Sequence, residues 1–394
     1  MLGGTRPRRL IALSALVLTF GGAVVTTGCR TTESDVHRWG TTLNGPRKLA
    51  AVVSHDKYPL PLRVEAALTL ATMKPRGGQH VGLQGDDDDQ PGLLATIQSL
   101  EPATRDRLVA ALVPKLIAGM QQMPGIDGKE YRDPSVPYKD AAFGLLTDVK
   151  ENVISNAQLR SEVRASLTAW TLAAFEKRLD DPAQAYGTEQ VIRYLGADGV
   201  RGLPDLMTVD SAKLARMASI IAELGDADTK AQAATRLVAI AQEITSAPWR
   251  ERKAALVKKA NEDAKLQPTA KQFEEQVSQF QEDELLRVFG NLRQVGSPPA
   301  VNYLLSVAQD KTRPEKQRAA SLAALERNLA TDSRPQIDAM VALVRAEDSP
   351  DSVVDQALRR LGEMSRKAVI GDLSELFKTP KWRVRWMAAE TALR

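Results

Sequence analysis

The sequence predicts an all-α protein, an α-α superhelix of stacked antiparallel helix pairs. Three observations predict it. Alternation of apolar and polar residues with period two, the mark of a half-buried strand, nowhere persists beyond a few residues. Aromatic residues make up only 5% of the chain, while Ala, Leu and Arg, all good helix formers, are its commonest residues. Leucines also recur in the C-terminal half at intervals in the thirties, each near the end of an amphipathic helix and most followed by a second apolar helix. Self-similarity at that period, with two helices per unit, marks an α-solenoid. Few strands or none are expected, and 394 residues suffice for two or three globular domains or one extended array.

Residues 1–28 read as an export signal. Arg6, Arg8 and Arg9 form a positive n-region, Leu10 to Val25 form an apolar run of 16 residues, and Thr26, Thr27 and Gly28 lead to Cys29. The run is short for a helix crossing a hydrocarbon core, which needs about 20 residues. Gly21 and Gly22 weaken it further. The ending Thr26-Thr27-Gly28-Cys29 resembles the lipobox of bacterial lipoproteins, with Thr26 where Leu is usual. The other readings are an uncleaved signal anchor, or a plain secretory signal with an incidental cysteine. The resemblance implies lipidation of Cys29 with two or three acyl chains, and more than one chain makes membrane anchoring stable. It also implies a place in the bacterial cell envelope. Arg30 stands where enteric lipoproteins kept at the inner membrane carry Asp, so the outer membrane is favoured over the inner.

Cys29 is the single cysteine, so no intramolecular disulfide is available. The basic excess belongs to the same segment. Setting aside Arg6, Arg8 and Arg9 reduces 53 basic side chains to 50, against 49 acidic ones. A nearly neutral remainder carries no global field toward nucleic acid or anionic lipid.

Residues 29–58 are polar and mixed, with a short amphipathic piece near Leu49 to Val53, and read as a tether followed by an N-terminal cap. From Pro59 to Arg394 the helical pattern is dense. Prolines such as Pro75, Pro102, Pro134, Pro204, Pro314, Pro350 and Pro380 fall mostly between apolar runs, where helices end and begin. Leu292, Leu325, Leu361 and Leu393 lie 33, 36 and 32 residues apart. Pro314 and Pro350 precede their leucines by eleven residues and Pro380 by thirteen, and Ser321, Ala357 and Ala389 stand four before theirs. Apolar second helices are expected at 300–308, 337–344 and 369–377. Upstream, Leu195 and Leu224 are 29 apart. A charged helical stretch over 249–290 blurs the register, although Phe273, Val277 and Phe280 keep one apolar stripe.

The segment 377–393 resembles the first helix of a HEAT repeat, in which a Pro or Asp turn leads to Val-Arg, a small pair and Ala-Leu. Here these are Pro380, Val384, Arg385, Ala388, Ala389, Ala392 and Leu393. Residues 292–310 resemble the turn and second helix of the same repeat, and 60–73 give a third match with Arg63, Ala66 and Ala67. The resemblance implies a HEAT/ARM-like solenoid over 59–394, in which each unit buries its apolar face only against its neighbours and spare faces form an extended binding surface. The chain ends one helix into a unit, so that helix either caps the stack or leaves it open. The stripe Trp382, Trp386, Ala389 and Leu393 is expected to pack back on the preceding helix. If the tryptophans are exposed instead, Trp382, Arg383, Arg385 and Trp386, beside Lys381, make a candidate partner-binding edge, since Trp and Arg are favoured interface anchors.

The chemistry-bearing motifs are thin. His37, His55 and His80 have no second His or Cys at metal-ligand spacing, so no metal and no cofactor are expected. Ser54-His55-Asp56-Lys57 matches the S-x-x-K of penicillin-recognising enzymes, but Tyr58-Pro59 follows where a helix is needed, and no S-D-N or K-T-G partner exists. Asp86 to Asp89 are adjacent, whereas a calcium loop alternates its ligands, so a solvated loop is expected. Arg250, Arg252, Lys253, Lys258 and Lys259 have Glu251, Glu262 and Asp263 interleaved and no stacking aromatics, the pattern of a solvated face and not of a nucleic-acid patch. The expected function is therefore a non-enzymatic protein-binding scaffold or adaptor, held at the membrane by its lipid anchor. The alternative is an envelope enzyme or accessory factor acting on cell-wall or glycan substrates. That alternative would call for a cleft with two carboxylates in strongly unequal environments.

Overall fold

The computed structural model describes residues 31–76, 79–86, 90–127, 130–147 and 153–393. Cys29, the segment before it, and Asp87, Asp88 and Asp89 lie outside the described residues.

The N-terminal half runs through α1 (Glu33–Trp39), α2 (Gly45–Ser54), α3 (Leu60–Ala71), α4 (Val81–Gln84), α5 (Leu93–Gln98), α6 (Pro102–Met120), α7 (Val136–Thr147), α8 (Ala157–Ala173), α9 (Phe175–Asp180) and α10 (Pro182–Leu195). It continues through α11 (Ala197–Val200), α12 (Leu203–Leu206), α13 (Leu214–Leu224), α14 (Ala227–Ile244), α15 (Ala247–Asp263) and α16 (Ala270–Val295). The last six helices are α17 (Pro298–Gln309), α18 (Glu315–Ala324), α19 (Arg334–Arg345), α20 (Asp351–Leu361), α21 (Arg366–Leu376) and α22 (Trp382–Leu393). The remaining regular structure among the described residues is two antiparallel ribbons. One pairs β1 (Gly85–Asp86) with β2 (Gln90–Pro91), the other β3 (Gly125–Asp127) with β4 (Glu130–Arg132). The fold class is all-α, as the patterning predicts.

Most prolines sit at helix starts, and they set the register of burial. Pro59, Pro314 and Pro350 are N-cap residues with extended backbone, ψ being 146°, 142° and 148°. Four, seven, eight and eleven residues after each comes one buried stripe. These are Arg63, Ala66, Ala67 and Leu70; Arg318, Ser321, Leu322 and Leu325; and Val354, Ala357, Leu358 and Leu361. That spacing places all four side chains on one helical face. In two of the three, the first position is an arginine that reaches the last turn of the preceding helix. Arg63 Nε donates to the Val53 carbonyl at 2.8 Å, and Arg318 Nε to the Ala308 carbonyl at 2.9 Å. Each thereby satisfies a C-terminal carbonyl that its own helix leaves without a partner.

From α16 onward, α16, α18, α20 and α22 pack side by side, and α17, α19 and α21 pack likewise. The two rows are joined through the pairs α17–α18, α19–α20 and α21–α22. Gly296 ends α16 with φ +59°, where a Cβ would fall 2.3 Å from Asn328 Oδ1, so only glycine fits. Asn328 in turn donates to the Arg293 carbonyl at 2.8 Å.

The last helix departs from expectation. Val384 and Ala388, four and eight after Pro380, are the residues that pack back. Trp382, Trp386 and Leu393 are 69%, 61% and 84% exposed. Trp382 lies two residues from Val384, about 200° around the helix, so the tryptophan stripe necessarily faces away from the buried one. Counting from the proline gives the correct phase, whereas aligning Leu393 with Leu325 and Leu361 does not.

The charged stretch over 249–290 resolves into the antiparallel hairpin α15–α16. Trp249 stacks on Phe280 at 6.2 Å between ring centres, and Asn261 donates to Gln276 at 2.9 Å. Of the expected stripe, Val277 is buried, Phe273 half-buried and Phe280 exposed.

Two clusters of buried apolar side chains make up the interior. One runs from Val36 to Leu195 and the other from Phe175 to Ala388. They meet at α10, where Val191 and Leu195 belong to the first and Ile192 to the second. Beside this junction lies a buried ion pair. Arg178 Nε donates to Asp133 Oδ2 at 2.7 Å, both side chains being 1% exposed. The guanidinium also donates to the Trp170 carbonyl, lies 3.9 Å from the Trp170 ring centre, and donates to Ser135 Oγ at 3.2 Å. Ser135 in turn donates to Asp133.

Candidate functional site

The tryptophans of α22 line a groove of about 720 Å³ between α20 and α22. Its floor is Leu358 and Met387, and its rims carry Asp355, Arg359 and Glu363 on one side and Trp382, Arg383 and Trp386 on the other. Arg383 crosses from α22 to α20, donating to Asp351 at 3.3 Å and to Asp355. It therefore holds the groove's width as well as its charge. Arg360 lies beneath, buried, with one ion pair to Glu363 at 3.0 Å. Its Nε and Nη1 have no hydrogen-bond partner among the described residues. Burial holds this guanidinium below the ordinary arginine value, against the opposing pull of Glu363 and Glu326.

Of the four edge residues the sequence singles out, the structure brings Trp382, Arg383 and Trp386 together on this groove. Arg385 is not among the lining residues. It donates to the carbonyls of Thr379 and Pro380 at 2.8 and 2.9 Å, securing the turn that starts its own helix. Lys381 is likewise occupied, donating to the Glu347 carbonyl at 3.0 Å.

The other sequence candidates are dispersed. Ser54 ends α2 and donates to the Ala50 carbonyl, while Lys57 lies beyond the helix over the Tyr58 ring, the reverse of the S-x-x-K geometry. Arg250, Arg252 and Lys253 pair with Glu274, Glu243 and Asp210. Carboxyls that move clearly from their ordinary values all move down. Asp35, Asp226 and Asp310 do so because nearby threonines donate hydrogen bonds to them, and Asp348, Asp372 and Glu375 because Lys311, Arg334 and Lys378 do. Such shifts report capping and ion pairing on the surface.

One cluster escapes a search for paired His and Cys. His37 Nε2 lies 3.2 Å from Glu65 Oε1 and 3.7 Å from Glu33 Oε1. The usable signal was Glu33, four residues before His37 and so on the same helical face. Glu65 comes from α3 and is joined only by packing. His55 and His80 take no part in it.

No protein-family model matches the chain, and no curated protein is similar to it.

Proposed function

We propose that this chain is a lipid-anchored protein of the bacterial cell envelope, a HEAT-like solenoid acting as a non-enzymatic scaffold that holds a protein partner in the α20–α22 groove. The recurring proline-led stripe supports the repeat reading, because the same face is buried by the same four positions at 59, 314 and 350. The alternation of two helix rows joined in pairs supports it too. The signal-like segment and Cys29 carry the anchor reading, on sequence grounds.

The observation that carries the binding reading is the exposed pair Trp382 and Trp386, beside Arg359 and Arg383. Isolated exposed apolar residues are ordinary, but two large aromatics one turn apart over a groove form a contiguous patch. Trp and Arg are also the residues most often found to dominate binding energy.

The test is proximity labelling from the full, membrane-bound chain, followed by affinity measurement with the labelled partner. Trp382→Ala with Trp386→Ala is expected to weaken that affinity at least tenfold, about 1.4 kcal/mol. Folding stability should stay within about 0.5 kcal/mol, because both side chains are exposed. A partner bound equally well by the double variant would refute the groove as the docking site. Separately, Cys29→Ala is expected to abolish acyl labelling and release the protein from the membrane fraction, and retention there would refute the lipid anchor.

A further inference from the structure

We propose that Glu33, His37 and Glu65 form a divalent transition-metal site, of the class that takes zinc, fastening α1 to α3. The inference is independent of the docking groove.

The geometry begins with the helices. Thr32 and Asp35 close a reciprocal cap on α1, which fixes the turn carrying Glu33. Val36, fully buried, seats α1 in the first apolar cluster, and α1 packs on α3. The approach is close. A Cβ at Gly40, just past the end of α1, would fall 2.7 Å from Thr69 Cγ2 on α3. Glu33 and His37 are thus held on the face of α1 nearest Glu65.

The two separations from the imidazole already stand near coordination spacing. Zinc bonds of 2.0–2.1 Å to nitrogen and oxygen in a tetrahedron put neighbouring ligand atoms roughly 3.3 Å apart. The observed separations from His37 Nε2 are 3.2 Å to Glu65 Oε1 and 3.7 Å to Glu33 Oε1, and one donor atom from each residue lies within 4.8 Å of the others. Lys115 Nζ, 3.5 Å away, engages the other carboxylate oxygen, Oε2 of Glu65. It orients that carboxylate from behind and leaves Oε1 for the metal, the part a second-shell group plays. Two carboxylates and one neutral imidazole balance a dication. Imidazole favours zinc, copper or nickel over calcium or magnesium, which prefer all-oxygen sets. His37 and Glu65, though not Glu33, also line a groove of about 670 Å³ with Thr69, Arg76 and Tyr138, which leaves room beside them for water as a further ligand.

The competing account is a protonated His37 bridging two glutamates with no ion. Titration separates them. The full chain, detergent-solubilised and without a polyhistidine tag, is freed of metal and titrated with ZnCl2 by calorimetry. One equivalent is expected to bind, raising the Tm because the ion binds the folded state. CoCl2 is expected to give the visible absorption of a tetrahedral site. Glu65→Gln and Glu33→Gln, which keep side-chain volume, and His37→Ala, at a position whose side chain is 57% exposed, are each expected to weaken binding at least tenfold with unchanged circular dichroism. His55→Ala is expected to bind as the parent chain does. The proposal is overturned if the parent chain takes up no stoichiometric zinc, if Glu65→Gln binds as tightly as the parent, or if CaCl2 binds as well as ZnCl2.

Discussion

Replacing Arg178 with alanine is expected to destabilise the protein by about 3–5 kcal/mol, the range for breaking a buried ion pair from one side. The size follows from what remains. Asp133 would be left at 1% exposure without its cationic partner, with the Ser135 hydroxyl and backbone N–H the remaining donors among the described residues. The Trp170 carbonyl would lose a donor and its ring a stacked cation. Arg178→Lys should recover only part of the loss, since an ammonium cannot serve Asp133, Ser135 and Trp170 at once in the planar fork that guanidinium provides. Joint replacement of Arg178 and Asp133 by apolar residues should cost much less than Arg178→Ala, because no uncompensated charge is left behind. Urea titration followed by circular dichroism checks all three. A loss below about 1 kcal/mol for Arg178→Ala would show that water reaches Asp133.

Leu325→Ala and Leu393→Ala should behave oppositely, although the sequence presents them as equivalent members of one leucine series. Leu325 is fully buried in the row formed by α16, α18 and α20, and truncation there should cost about 2–5 kcal/mol, part lost transfer energy and part residual cavity. Leu393 is 84% exposed, and its truncation should fall within about 0.5 kcal/mol. Equal losses at the two positions would restore the leucine register that the structure rejects for α22.

The helical class was legible because apolar spacing is a local property, carried by each segment without reference to its neighbours. The proline-led recurrence was half legible. Pro314 and Pro350 each stand eleven before a buried leucine, and the same count from Pro59 reaches Leu70. At Pro380 it reaches Thr391, so the final leucine misled. Trp382 and Trp386 were legible as a stripe, but the expectation that they pack back was wrong, since Val384 and Ala388 make an equally good inner face. Arg385 looked like part of the edge because it adjoins Trp386, yet its guanidinium turns back to the carbonyls of Thr379 and Pro380. Contacts that depend on distant packing were out of reach. Asp133 and Arg178 are 45 residues apart, and Glu65 meets His37 only because α1 rests on α3.

The meeting of the two interior clusters at α10 has a mechanical side. Tension applied at opposite termini must pass from one cluster to the other through the helices α8 to α11, and on α10 neighbouring side chains grip opposite bodies. Val191 and Leu195 hold one and Ile192 the other, while the Asp133–Arg178 pair bolts the seam from the side. Each body carries its own apolar filling, so a rupture at that seam would leave two intact halves, and the molecule would behave under load as two links joined by a rivet.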